Sequence, residues 1–86
     1  SVGWVSIDGT QYTSDAIVDL AAGNHSFEGH AYSITYYGDE HHAPSLSSVI
    51  SRSEVFTGSA KITITKTSTG GFFGDTYYSI TIDGGE

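Results

Sequence analysis

The stretch that decides the fold reads Val2-Gly3-Trp4-Val5-Ser6-Ile7-Asp8-Gly9, followed by Ala16-Ile17-Val18-Asp19-Leu20-Ala21-Ala22-Gly23-Asn24-His25-Ser26-Phe27. Successive side chains of a β-strand point to opposite faces, so Val5 and Ile7 share one face of a first strand. Asp8-Gly9 is a turn signal, because glycine accepts positive φ and aspartate bonds to its own turn backbone. Gly23-Asn24 predicts another turn. The stretch therefore indicates short strands joined by tight turns.

The residues after the first turn predict two further strands. Ala16, Val18 and Leu20 share one face of the second strand. The third strand begins at His25 and runs to Tyr37.

This opening third resembles the PEGA domain, a small β-sandwich module of exported and surface-layer proteins of bacteria and archaea. The resemblance covers less than a third of the chain. A segment that usually contains proline is replaced here by Tyr12 to Ala16. The resemblance implies a surface or spacer role without catalytic residues. The matching positions are Val5-Ser6-Ile7-Asp8-Gly9, Leu20, Gly23, His25 and Phe27.

The last third contains the most regular alternation in the chain. Ala60, Ile62 and Ile64 alternate with Lys61, Thr63 and Thr65, and a second run places Tyr78, Ile80 and Ile82 on one face. We expect these two runs to pair as an antiparallel hairpin with its tip at residues 68–75. Several short strands separated by turn signals predict an all-β, mostly antiparallel sandwich or small open barrel.

The middle of the chain is less regular. Gly29 lies inside the third strand and predicts a bulge, after which Tyr32, Ile34 and Tyr36 align on one face. Residues 38–44 are expected to form a polar loop. Residues 45–52 fit a short helix or an edge strand, and their serine and β-branched content favours the strand.

Length and composition limit the class of protein. The chain has 86 residues, no cysteine and a formal net charge of -7 with three basic residues. We expect one module, residues 1–86, excised from a larger extracellular or cell-surface protein. The acidic balance disfavours nucleic acid and anionic membranes as partners. No apolar run approaches the roughly 20 residues of a membrane span, so membrane insertion is not expected.

Neither a catalytic centre nor a cofactor site is predicted. The chain contains no Gly-x-Ser-x-Gly elbow, and a small two-layer sandwich leaves little room for a cleft between two carboxylates. The histidines are expected to be solvated, because adjacent residues of an extended segment point apart. The weak candidates for a divalent-ion site are Asp39, Glu40, His41 and His42.

Aromatic residues are the strongest sign of binding, since they make up 13% of the chain and a thin core cannot enclose them all. They suggest a non-catalytic structural or protein-interaction module whose partner is another protein or a neighbouring domain of the parent chain. The alternative is a carbohydrate-binding module, in which exposed rings stack on sugars. The candidate ligand-binding residues are Trp4, Tyr36, Tyr37, Phe72 and Phe73.

Overall fold

A computed structural model describes residues 3–45, 47–70 and 74–86 of the chain. Within these residues all regular structure is β, as the alternation predicted. The strands are β1 (Trp4–Ile7), β2 (Thr10–Tyr12), β3 (Ala16–Leu20), β4 (Gly23–Tyr36), β5 (Asp39–Ala43), β6 (Ile50–Phe56), β7 (Ala60–Ser68) and β8 (Thr76–Gly84).

The 14-residue strand β4 belongs to both sheets of the molecule. Its first half lies between β1 and β6, and its second half lies between β5 and β8. The sheets therefore have the orders β2-β1-β4-β6 and β5-β4-β8-β7-β3. Only the β4–β8 pairing among the described strands is parallel. The result is a nearly closed, barrel-like sheet that fits the predicted sandwich or open barrel.

The predicted bulge does not lie at Gly29. A Cβ atom at Gly29 would overlap the Cδ1 atom of Ile34, so a larger residue here would force the Ile34 side chain to move. The register shifts between Ala31 and Ile34 instead. The predicted alignment is correct for Ile34 and Tyr36, which are buried, and wrong for Tyr32, which is exposed.

The C-terminal hairpin is confirmed. β7 and β8 are antiparallel, with Ile62 opposite Ile82 and Ile64 opposite Ile80. Of these residues, Ile82 is partly buried and the others are buried.

Two predictions about the middle of the chain are wrong. The expected polar loop contains β5, which pairs with β4 through a turn whose residues Tyr37 and Gly38 have φ of 51° and 80°. Positive φ at both central positions is typical of a tight hairpin turn. The expected Gly23-Asn24 turn is instead the start of β4.

The segment at 45–52 is neither a continuous strand nor a helix in its described part. Strand β6 begins only at Ile50, and residues 47–49 lie outside regular structure. Leu46 lies outside the described residues.

The core lies between the two sheets and includes side chains from both halves of β4. Phe27 of the first half meets Tyr36 of the second half in an edge-to-face contact, with ring centroids 6.1 Å apart. The buried hydrophobic cluster consists of Val5, Ile7, Phe27, Ala31, Ile34, Tyr36, Phe56, Ala60, Ile62, Ile64, Tyr78 and Ile80.

Candidate functional site

The predicted aromatic binding residues that lie in the described ranges do not form one surface. Trp4 is half-buried on β1, and Tyr36 is buried in the core, so the Tyr36 ring has no free face for a ligand. Tyr37 is 57% exposed at the β4–β5 turn. Phe72 and Phe73 lie outside the described residues, and their exposure stays a prediction.

Arg52 on β6 links Tyr36 to Tyr37. Its guanidinium carbon lies 4.7 Å from the centroid of the Tyr36 ring and 5.3 Å from that of Tyr37. Its Nη2 atom is 2.7 Å from Glu54 Oε1, a close ion pair without hydrogen-bond geometry. Burial raises the pKa of Tyr36 to about 12. The Arg52 guanidinium already contacts two aromatic rings and a carboxylate. We therefore interpret these contacts as stabilising the Tyr37-Gly38 turn and not as a ligand site.

The four weak metal candidates lie on β5. His42 Nδ1 donates to the Tyr32 carbonyl at 2.7 Å, and His42 Nε2 is 3.4 Å from Glu40 Oε1. The ring of His41 instead approaches Tyr36, with centroids 6.1 Å apart. Among the described residues no three His, Asp or Glu side chains are grouped as a metal site would need.

Three aromatic side chains meet on the outside of the sheet β5-β4-β8-β7-β3. Tyr32 lies between His42 and Tyr77, with its ring centroid 5.3 Å from each of them. We call Tyr32, His42 and Tyr77 the tyrosine–histidine surface. Partial desolvation raises the pKa of Tyr77, and the neighbouring Tyr32, Asp75 and Glu40 raise it further. The sequence analysis missed this surface because it placed Tyr32 on the buried face.

His25 joins the Asp8-Gly9 turn to β4, and both of its ring nitrogens have hydrogen-bond partners. His25 Nδ1 lies 2.6 Å from Asp8 Oδ2, and His25 Nε2 lies 2.7 Å from the carbonyl of Ala21. The other Asp8 oxygen accepts the Ser26 N–H at 2.8 Å. Both ring nitrogens face acceptors, an arrangement that favours the doubly protonated imidazolium.

The Asp8–His25 pair should make stability depend on pH. The hydrogen bond to Asp8, and after it the one to the Ala21 carbonyl, raise the pKa of His25. The contribution of His25 to the free energy of unfolding is therefore complete below about pH 6.5 and is lost as pH rises through the raised pKa. Hydrogen bonds from His25 and Ser26 lower the pKa of Asp8. The contribution of Asp8 to the free energy of unfolding is therefore complete above about pH 3.9 and is lost as pH falls through the lowered pKa.

We therefore expect this pair to stabilise the fold most between about pH 4 and 6.5. Urea unfolding from pH 3 to 9 measures the dependence. His25→Gln should flatten the decline above pH 6.5, whereas the exposed-histidine control His41→Gln should keep it. An unchanged decline in His25→Gln would contradict this interpretation.

The free strand edges differ in how well they are protected from pairing with another chain. Native edge strands are usually short, charged or interrupted. β2 has three residues, β5 contains two acids and two histidines, and β6 contains the Arg52–Glu54 pair. β3 pairs only with β7 in the part of the chain described, and its sequence Ala-Ile-Val-Asp-Leu contains one charge.

Comparisons with known proteins supply no relative. No family model, curated protein or solved structure matches the chain. In the described ranges, no helix is long and apolar enough to cross a membrane.

Proposed function

We propose that this chain is a non-catalytic structural and protein-interaction module of a larger extracellular or cell-surface protein. The observation that carries the proposal is the apolar edge of β3, which no other described strand covers. A strand edge presents unpaired N–H and C=O groups, so a partner strand can bind by extending the sheet.

Ile17 supports a contact at this edge. Its side chain is 68% exposed on β3, opposite Thr63 of β7. Ile17 and its neighbours on β7 border an open depression of about 440 Å³. An apolar side chain beside an open backbone edge can supply both the main-chain pairing and the side-chain specificity of strand addition.

Charge favours a different chain over a second copy as the partner. The formal net charge is -7, so two copies repel each other. On the outer face of β3, Asp19 lies opposite Lys61, which in turn lies opposite Asp83. One basic residue between two acids leaves this end of the edge acidic. We expect a neutral or basic β-forming segment of a neighbouring domain or partner protein.

A displayed library of 12-residue peptides tests this proposal. Peptides selected on the native chain should be rich in β-branched and basic residues, and they should shift the backbone amide resonances of β3. Ile17→Lys should weaken their binding at least about tenfold, as expected when a contact residue worth about 1.4 kcal/mol or more is lost.

Val55→Lys is the matched control, because Val55 is 70% exposed on the edge strand β6. It should leave binding unchanged within about twofold. Both positions are exposed, so stability should change by no more than about 0.5 kcal/mol. Selected peptides that shift other strands, or that bind Ile17→Lys normally, would refute the β3 contact.

A further inference from the structure

The tyrosine–histidine surface is not required by the core. Tyr32 is 37% exposed, in step with the alternation of the first half of β4, where Phe27 and Ala31 are buried. The register shift between Ala31 and Ile34 then turns Ile34 and Tyr36 to the buried face, while Tyr32 stays outside. Bulges that re-aim a side chain are frequent beside functional sites. An exposed ring forgoes part of the free energy that full burial of a large apolar side chain provides.

The three rings of this surface are inclined to one another. The Tyr32 ring makes an angle of 60° with Tyr77 and 74° with His42. Inclined rings form a corner and not a flat platform. Such a corner suits a single sugar residue or a bent soluble chain better than the flat face of a crystalline polysaccharide.

Hydrogen-bond acceptors lie beside the rings. The Glu40 side chain is 51% exposed, and Ser33 Oγ donates to its Oε2 atom at 2.5 Å, which fixes the carboxylate. His42 donates from Nδ1 to the Tyr32 carbonyl, and its Nε2 atom lies 3.4 Å from Glu40 Oε1, so both ring nitrogens already face acceptors. A half-exposed carboxylate beside aromatic carbon matches a ligand with an apolar face and several hydroxyl donors.

From this arrangement we propose that the tyrosine–histidine surface, together with Glu40, binds a neutral pyranose of a soluble glycan. The C–H face of the sugar would pack on a tyrosine ring while its hydroxyls donate to the Glu40 carboxylate. Anionic sugars are excluded, because Glu40 and Asp75 lie near Tyr77 and the chain has a net charge of -7. The site is separate from the proposed β3 contact, since β7 lies between β8 and β3.

A screen of immobilised neutral and anionic glycans, followed by NMR titration with the neutral oligosaccharides that bind, tests the proposal. We expect millimolar oligosaccharide to shift resonances of Tyr32, His42 and Tyr77. Tyr77→Ala should weaken binding at least about tenfold, and Glu40→Gln about threefold to tenfold. The control Val55→Ala removes an exposed apolar side chain of β6, outside the surface, and should change affinity less than about twofold.

Thermal unfolding of each variant separates lost binding from lost folding, and Tyr77→Phe supplies a second variant that keeps the ring. Preferential binding of anionic glycans would overturn the proposal. So would binding that survives Tyr77→Ala, or the absence of any neutral oligosaccharide that shifts the surface. A proline-rich peptide that occupies these residues while sugars do not would show a peptide site instead. Because β3 is not involved, none of these results depends on the Ile17 experiment.

Discussion

Replacing Ile62 with alanine is expected to lower the free energy of unfolding by about 2–5 kcal/mol. Ile62 is fully buried on β7, opposite Ile82 of β8. The substitution removes apolar contacts and leaves a cavity that the paired strands cannot fill without moving. Urea unfolding followed by tryptophan fluorescence measures the loss, because Trp4 is the sole tryptophan.

Lys61→Ala is the control for this substitution, since Lys61 is the exposed neighbour of Ile62 on the same strand. It should cost no more than about 0.5 kcal/mol. Each kcal/mol lost should lower Tm by about 4–8 °C in a domain of this size. A loss below about 1 kcal/mol for Ile62→Ala would show that the β7–β8 face is not part of the core.

The sequence predicted β7 and β8 correctly because both strands are decided locally. Each alternates with period 2 over at least seven residues, and the two runs are adjacent in the chain. β5 was missed for the opposite reason. Its residues Asp39 to His42 have the composition of a loop, and they extend only because β4 offers a partner edge. The Tyr37-Gly38 turn was the one local sign of that hairpin.

The tyrosine–histidine surface could not be predicted from alternation alone. Which residues of β4 face outward depends on the position of the register shift. An error of a few residues in that position places Tyr32 on the wrong face of the strand. Tyr77 comes beside Tyr32 only through the parallel β4–β8 pairing, which joins residues more than 40 positions apart. No local pattern specifies such a pairing.

The residues that resemble a PEGA domain have a structural explanation in this chain. Asp8 and His25 are bonded to each other, and Asp8 also accepts the N–H of Ser26, which precedes the core residue Phe27. These contacts fasten the first turn to β4. Membership of that family stays a prediction, and the same residues are accounted for by folding without any role in binding.

The two proposed contacts can operate together. β3 is the last strand of its sheet, whereas the tyrosine–histidine surface lies on β5, β4 and β8 at the other side of β7. A module joined through its β3 edge would therefore leave the rings open to a soluble glycan. This arrangement predicts that Ile17→Lys and Tyr77→Ala affect separate ligands, with no coupling expected between independent sites.

Phe27→Ala is expected to be more disruptive than Ile62→Ala. Phe27 is buried in β4, where it lies opposite Ile7 of β1 and Arg52 of β6. Truncation of a buried phenylalanine costs about 3–5 kcal/mol. The edge-to-face contact with Tyr36 adds about 0.5–1.5 kcal/mol beyond the area buried, and it links the two halves of β4.

This cost is close to the lower end of the stability expected for such a domain, which is roughly 4–13 kcal/mol at about 0.05–0.15 kcal/mol per residue. We therefore expect Phe27→Ala to be largely unfolded at 25 °C if the native chain lies at the lower end of that range. Circular dichroism and urea unfolding measure the outcome. Phe27→Leu keeps most of the volume and should cost less than about 1.5 kcal/mol. Equal losses in the free energy of unfolding for Phe27→Leu and Phe27→Ala would contradict tight packing around Phe27, because only alanine leaves a large cavity.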